Sequence, residues 1–299
     1  MLHPRPGSPA PLPPPPRPAA SRQAASRLAA PLLAALLLWA ALPLAAGAQA
    51  VDGRAGTVSL QSGQQGGWDN TMALGSVALP LGAGTGLQFD LGAGLYRGDY
   101  TSLAAGLHLF RRDPARGMVG LYTDWGYVNP EHAGRIGVEG AWYRGRLTLE
   151  GLVGVRVGTN VETEPFDEID LTWYVSDSVK GSVGHRATSR GHVANLSVEF
   201  APKALPGWSV YGEAETGEDA ADSAFAGLRY TFGGPRHDSL MARDRRASVR
   251  TRVPRNIVDV TRCGWSTESR TTTFGLREES VLCASAEALE DFGAREGKQ

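Results

Sequence analysis

The chain is short of cysteine, of lysine and, past its first fifty residues, of long apolar runs. Of 299 residues only Cys263 and Cys283 are cysteines, and only Lys180, Lys203 and Lys298 are lysines. Two thiols at that spacing match no zinc motif and would leave a tetrahedral site half empty, so no metal centre is assigned. A formal net charge of −1 gives no electrostatic support for binding nucleic acid. Beyond residue 50 no apolar run reaches the roughly 20 residues that a membrane-spanning helix needs. No phosphate-cradling G-x-x-x-x-G-K-[ST] run occurs, so no cofactor is expected. Serine chemistry on one strand needs His and Ser two residues apart, because only alternate side chains share a face. His108 is followed at that offset by Phe110, His185 by Ala187 and His192 by Ala194. His132, beside Glu131, reads as a solvated loop residue. No catalytic residue is therefore assigned, and the chain does not read as an enzyme.

What is present starts with an export signal. Leu28 to Ala48 carries no charge, Leu32 to Leu44 forms an apolar core, and Arg22 and Arg27 precede it. Ala46-Gly47-Ala48-Gln49-Ala50 offers small residues for cleavage after Ala48 or Ala50, the layout of a secretory signal peptide. A retained helix is the alternative, and Pro43 with its small neighbours argues against it. Residues 1–20 hold nine prolines and cannot build a core. Residues 1–50 thus read as leader and signal peptide.

Residues 53–234 hold 32 of the 38 glycines, and between them one pattern recurs. In Gly86–Tyr96, Leu87, Phe89, Leu91, Ala93 and Leu95 share one face, while Gln88, Asp90, Gly92, Gly94 and Tyr96 share the other. Period-two alternation of this kind builds strands with one apolar and one polar side. About twelve such strands are predicted, near 56–62, 70–81, 85–97, 100–111, 117–128, 134–144, 146–157, 167–175, 179–188, 192–200, 207–215 and 223–232. A soluble sandwich shows the same local pattern. Export, aromatic residues near strand ends (Tyr96, Tyr100, Trp125, Tyr127, Trp142, Tyr143, Trp173, Tyr174, Trp208, Tyr230 and Phe232) and the abundance of glycine favour a barrel with its apolar side in lipid.

The last predicted strand ends Leu228-Arg229-Tyr230-Thr231-Phe232, with apolar or aromatic residues at alternate positions. Signal, alternation and this ending resemble the bacterial outer-membrane β-barrels of the broad porin-like kind, over residues 51–234. The resemblance implies an all-β, antiparallel, up-and-down transmembrane barrel of about 12 strands, with 10 or 8 as alternatives. It also implies outer-membrane lipid and the barrel-insertion machinery as partners, with Leu228, Tyr230 and Phe232 as insertion signal. In one respect the chain departs from the family: residues 235–299 follow the closing strand. With seven arginines in 235–255, they read as an arginine-rich, flexible periplasmic tail. Within it, Cys263 and Cys283 are expected to form a disulfide in an oxidising compartment.

The polar faces of the strands carry Asp90, His108, Asp124, Glu139, Glu150, Arg156, Asp170, Arg186 and Arg229. Charge cannot face hydrocarbon cheaply, so these are expected to line the lumen. Val161 to Asp167 is expected as an outer loop. The functional expectation is a narrow passive pore for small polar or charged solutes. The alternative is a non-conducting structural or binding barrel in which lumen charges pair and close the bore, and a hydrolase is a weaker third reading.

Overall fold

The computed structural model describes residues 50–82, 84–98, 100–128, 131–158, 161–188, 191–218, 222–233, 239–261, 265–271 and 277–283. Its main body comprises β1 (Ala55–Gln65), β2 (Trp68–Gly82), β3 (Thr85–Tyr96), β4 (Tyr100–Asp113), β5 (Gly117–Val128), β6 (Glu131–Arg144), β7 (Leu147–Gly158), β8 (Val161–Tyr174), β9 (Val179–Thr188), β10 (Gly191–Phe200), β11 (Trp208–Gly217) and β12 (Ser223–Gly233). Each strand pairs antiparallel with the next, and β12 returns to β1, so the sheet closes into a twelve-strand up-and-down barrel. The closing seam runs from Ala55↔Gly233 to Gln65↔Ser223 without a bulge. Closure removes both sheet edges, which a bilayer demands because no water is there to satisfy a free ladder. Connections are short at both ends. The β1–β2 hairpin turns on Gly66 and Gly67 alone, at φ 55° and 79°, a two-residue turn that needs positive φ at both positions.

Apolar side chains point outward and polar ones inward. On β3, Leu91 is 64 % exposed and Phe89 48 %, whereas Asp90 is 1 % and Gln88 0 %. Leu60, Leu121, Ile136, Val153 and Leu196 extend this exposed apolar belt around the barrel. Such a surface is stable facing acyl chains and not facing water.

Four expectations need correction. Val161–Asp167 is no loop: it begins β8, paired to β7 as far as Gly158↔Val161. Its inward Glu164 meets Arg156 at 3.1 Å, and that pair prolongs the hairpin. His132 likewise lies within β6 rather than in a loop. Among the aromatics, Trp125, Trp142, Trp173 and Trp208 are exposed on the outer face, but Tyr96, Tyr143 and Tyr174 are buried, their parity turning them into the lumen. The largest difference concerns the segment after β12. Two helices, α1 (Leu240–Arg246) and α2 (Val253–Thr261), do not form a free periplasmic arm. Residues 240–257 pack inside the barrel, because the wall buries more carboxylates than its own cations match. A separate hairpin, β13 (Trp265–Thr271) with β14 (Arg277–Cys283), follows. The signal peptide to Gln49, Cys263, and with it the expected disulfide, lie outside the described residues.

Candidate functional site

The lumen is a charged space filled by the chain's own C-terminal segment. Asp90, His108, Asp124, Glu139, Arg156, Asp170 and Arg186 are all buried on the inner wall. Glu150 and Arg229 also face inward, beside a remaining polar cavity of about 110 Å³ bordered by Lys180, Glu199, Glu213 and Arg250. Leu228 and Phe232 are exposed on the outer face of β12, where Leu228 pairs with Leu60 and Phe232 with Gly56 of β1.

The wall pairs many charges within itself. His108 Nδ1 lies 2.8 Å from Glu139 Oε1 and its Nε2 lies 3.1 Å from Asp90 Oδ2. A carboxylate oxygen only accepts, so both ring nitrogens donate and the imidazole is held as a cation. Arg135 bridges Asp124 at 2.6 Å and Glu168 at 2.9 Å, and the Tyr122 hydroxyl donates to Asp124 at 2.5 Å. Arg186 meets Glu215 at 2.6 Å and Arg229 meets Glu199 at 2.7 Å. Buried carboxylates on the strands nevertheless outnumber buried arginines. Asp90, Asp124, Glu139, Glu164, Glu168, Asp170 and Glu199, seven carboxylates, face Arg112, Arg135, Arg156, Arg186 and the His108 cation.

The segment supplies the missing cations. It begins at the end of the barrel where β1 starts and β12 stops: Leu240 N–H donates to the Asp177 carbonyl of the β8–β9 turn at 2.8 Å. Ser239 caps α1 by accepting from Ala242 N–H at 3.1 Å, satisfying a donor that the first turn leaves open. Arg243 pairs with Glu199. Arg245 donates to the Gly145 and Leu147 carbonyls at 3.0 and 2.8 Å, its guanidinium 4.8 Å from the Tyr143 ring. Further in, Val249 N–H donates to Gln88 Oε1 at 2.7 Å, and Gln88 Nε2 returns a bond to the Val249 carbonyl at 3.0 Å.

Pro254 sits in the first turn of α2, where its missing N–H costs no helical bond. The helix lies off-axis against β3 to β6. Arg252 and Arg255 both reach Glu168 Oε2 at 2.8 Å. Arg255 also forks onto Asp170, 2.9 Å to each oxygen, a charge-assisted bidentate pair. Burial alone would lower the Arg255 guanidinium, but the Asp170 and Glu168 carboxylates hold it well above its ordinary value. Asn256 donates to Asp124 at 3.1 Å and to the Ala133 carbonyl at 3.0 Å. Val253 and Ile257 join Met72, Leu74, Tyr96, Ala104, Val128 and Ala133 in one buried cluster. Tyr96 and Val128 end their strands, so the helix climbs toward the opposite mouth.

Room for α2 comes from glycines in the wall. A Cβ at Gly106 would lie 2.9 Å from Val253 Cγ1, and one at Gly126 would lie 3.2 Å from Asn256 Nδ2. One polar register row crosses five strands of the wall. Glu150 pairs with Asp170, Asp170 with Gly184, Gly184 with Asn195 and Asn195 with Glu215, across β7 to β11. Gly184 interrupts this polar row, and a Cβ there would fall 2.3 Å from Asp170 Oδ1 and 2.6 Å from Asn195 Nδ2. Arg135, Glu168 and Glu199 were not singled out from the sequence, yet their parity with predicted outward neighbours (Ile136, Ile169, Val198) places them inside.

No family profile and no curated protein matches the chain. Among solved structures, the barrel is similar to the KdgM porin in complex with disordered oligogalacturonate, at 9 % identity and TM-score 0.49, over 59 % of this chain and 99 % of that one. It is similar to the NanC porin at 8 % identity and TM-score 0.46, over 59 % and 99 %. It is also similar to outer membrane phospholipase A from Escherichia coli at 12 % identity and TM-score 0.41, over 61 % and 90 %. Closed ladder, exposed apolar belt and polar lumen together give this chain the architecture of a transmembrane up-and-down β-barrel.

Proposed function

We propose that the protein is an outer-membrane channel for small polar or charged solutes, closed in this conformation by its own segment 239–261. The observation that carries the reading is the wall's surplus of buried carboxylates, answered by Arg243, Arg252 and Arg255 of one segment that is not part of the barrel's ladder. A lumen whose closure is held by ion pairs opens when those pairs are exchanged for water or solute. With the segment displaced, the acidic wall favours cations. The full-length protein in a planar bilayer tests this. The double substitution R252Q/R255Q should raise the open fraction at least tenfold and give cation selectivity. Silence of both proteins at every voltage would leave the non-conducting barrel, a reading that the density of wall-to-wall pairs favours.

A further inference from the structure

We infer that the Asp170–Asn195 row is a binding site for small solutes that bear a guanidinium group, and that Arg255 occupies it as an internal stand-in. The site deepens the channel reading above and rests on it for biological use. Its geometry is that of guanidinium recognition: two carboxylates, Glu168 and Asp170, take the Arg255 fork by three bonds of 2.8 to 2.9 Å. Glu215 adds a third carboxylate 3.8 Å from Arg255 Nε. A planar fork matches carboxylate oxygens in a way that the compact, strongly hydrated ammonium of lysine does not. The chain carries 27 arginines and only three lysines, and Arg250, Arg252 and Arg255 all fall within 4.0 Å of Asp170.

A second observation points to a ligand rather than to a merely internal lock. Asn195 is 8 % exposed, yet both its side-chain nitrogen and its oxygen lack a hydrogen-bond partner among the described residues. Its amide stands across the Gly184 gap from Asp170, in the same row. Leaving a buried amide unpaired is costly. A solute bearing a guanidinium plus a further donor or acceptor would satisfy it, as the Arg255 side chain does not. Glu139 Oε2, also buried without a hydrogen-bond partner, lies 4.0 Å from Arg252 Nε and offers another acceptor nearby.

The experiment is calorimetric titration of the full-length protein in detergent with ethylguanidinium and, separately, ethylammonium. R252Q/R255Q, which frees the Arg255 fork and leaves only Arg250 beside Asp170, should bind ethylguanidinium at least tenfold more tightly than the wild type and tenfold more tightly than it binds ethylammonium. Adding D170N to that background should abolish the difference. Equal binding of both cations, equal binding by wild type and R252Q/R255Q, or indifference to D170N overturns the site. Should R252Q/R255Q fail to fold, judged by heat-modifiable gel migration, R255K keeps the charge and removes the fork, with the same expected preference. Bilayer recordings separate the two ideas. Binding without conductance removes the channel and leaves the site, whereas conductance without preferential binding removes the site and leaves the channel.

Discussion

Asp170→Asn is the sharpest perturbation of the closed state, because the charged partners of Asp170 among the described residues all belong to the segment. Arg255 holds both its oxygens at 2.9 Å, with Arg250 at 3.4 Å and Arg252 at 3.8 Å. Breaking a buried ion pair by removing one partner costs about 3–5 kcal/mol. Asparagine keeps one acceptor, so the low end, about 3 kcal/mol, applies. The penalty falls on the docked state alone, since a displaced Arg255 is rehydrated. With a tenfold change for every 1.4 kcal/mol, the ratio of open to closed barrels should rise about 100-fold. Single-channel recording of the full-length variant at fixed salt reads that ratio directly. The wall's own bridges, Arg135 to Asp124 and Glu168, are untouched, so the barrel should migrate as folded on an unheated gel. An open fraction within threefold of wild type, in a folded barrel, would refute electrostatic closure by the segment.

Other outcomes follow from the same contacts. Gly106→Leu should expel α2 through collision with Val253, raising the open fraction while leaving the barrel's heat-modifiable migration intact. Arg135→Met strips Asp124 and Glu168 of a buried cation and should destabilise the barrel by about 3–5 kcal/mol, read as a lower denaturant midpoint. Leu91→Arg, at a position 64 % exposed on the outer face, should weaken folding into lipid vesicles by about 2–4 kcal/mol; no change would place that face outside the membrane.

Much of this was legible in residue parity. Phe89 and Leu91 against Gln88 and Asp90 fix the lipid and lumen sides of β3, and the same alternation carries the lumen charges of the other strands. Boundaries were less legible where a charge pair extends a hairpin past a proline, as Glu164 with Arg156 does around Pro165. The fate of the arginine-rich segment could not be read locally. Its sequence is polar and short in helical signals, so alone it resembles a solvated arm. What draws it inward is the carboxylate excess of the wall, a sum over strands that no window of residues displays. Asp170, Gly184 and Asn195 meet only through strand register, which is equally invisible in a linear chain.

The glycines at 106 and 126 carry one more consequence. A notch cut to the outline of Val253 and Asn256 makes the occlusion a matter of shape as well as charge. Replacing the segment with an unrelated arginine-rich helix would restore neutrality without restoring the seal. Stopper and wall are therefore matched parts, and a leak can arise from a single added methyl group that itself bears no charge.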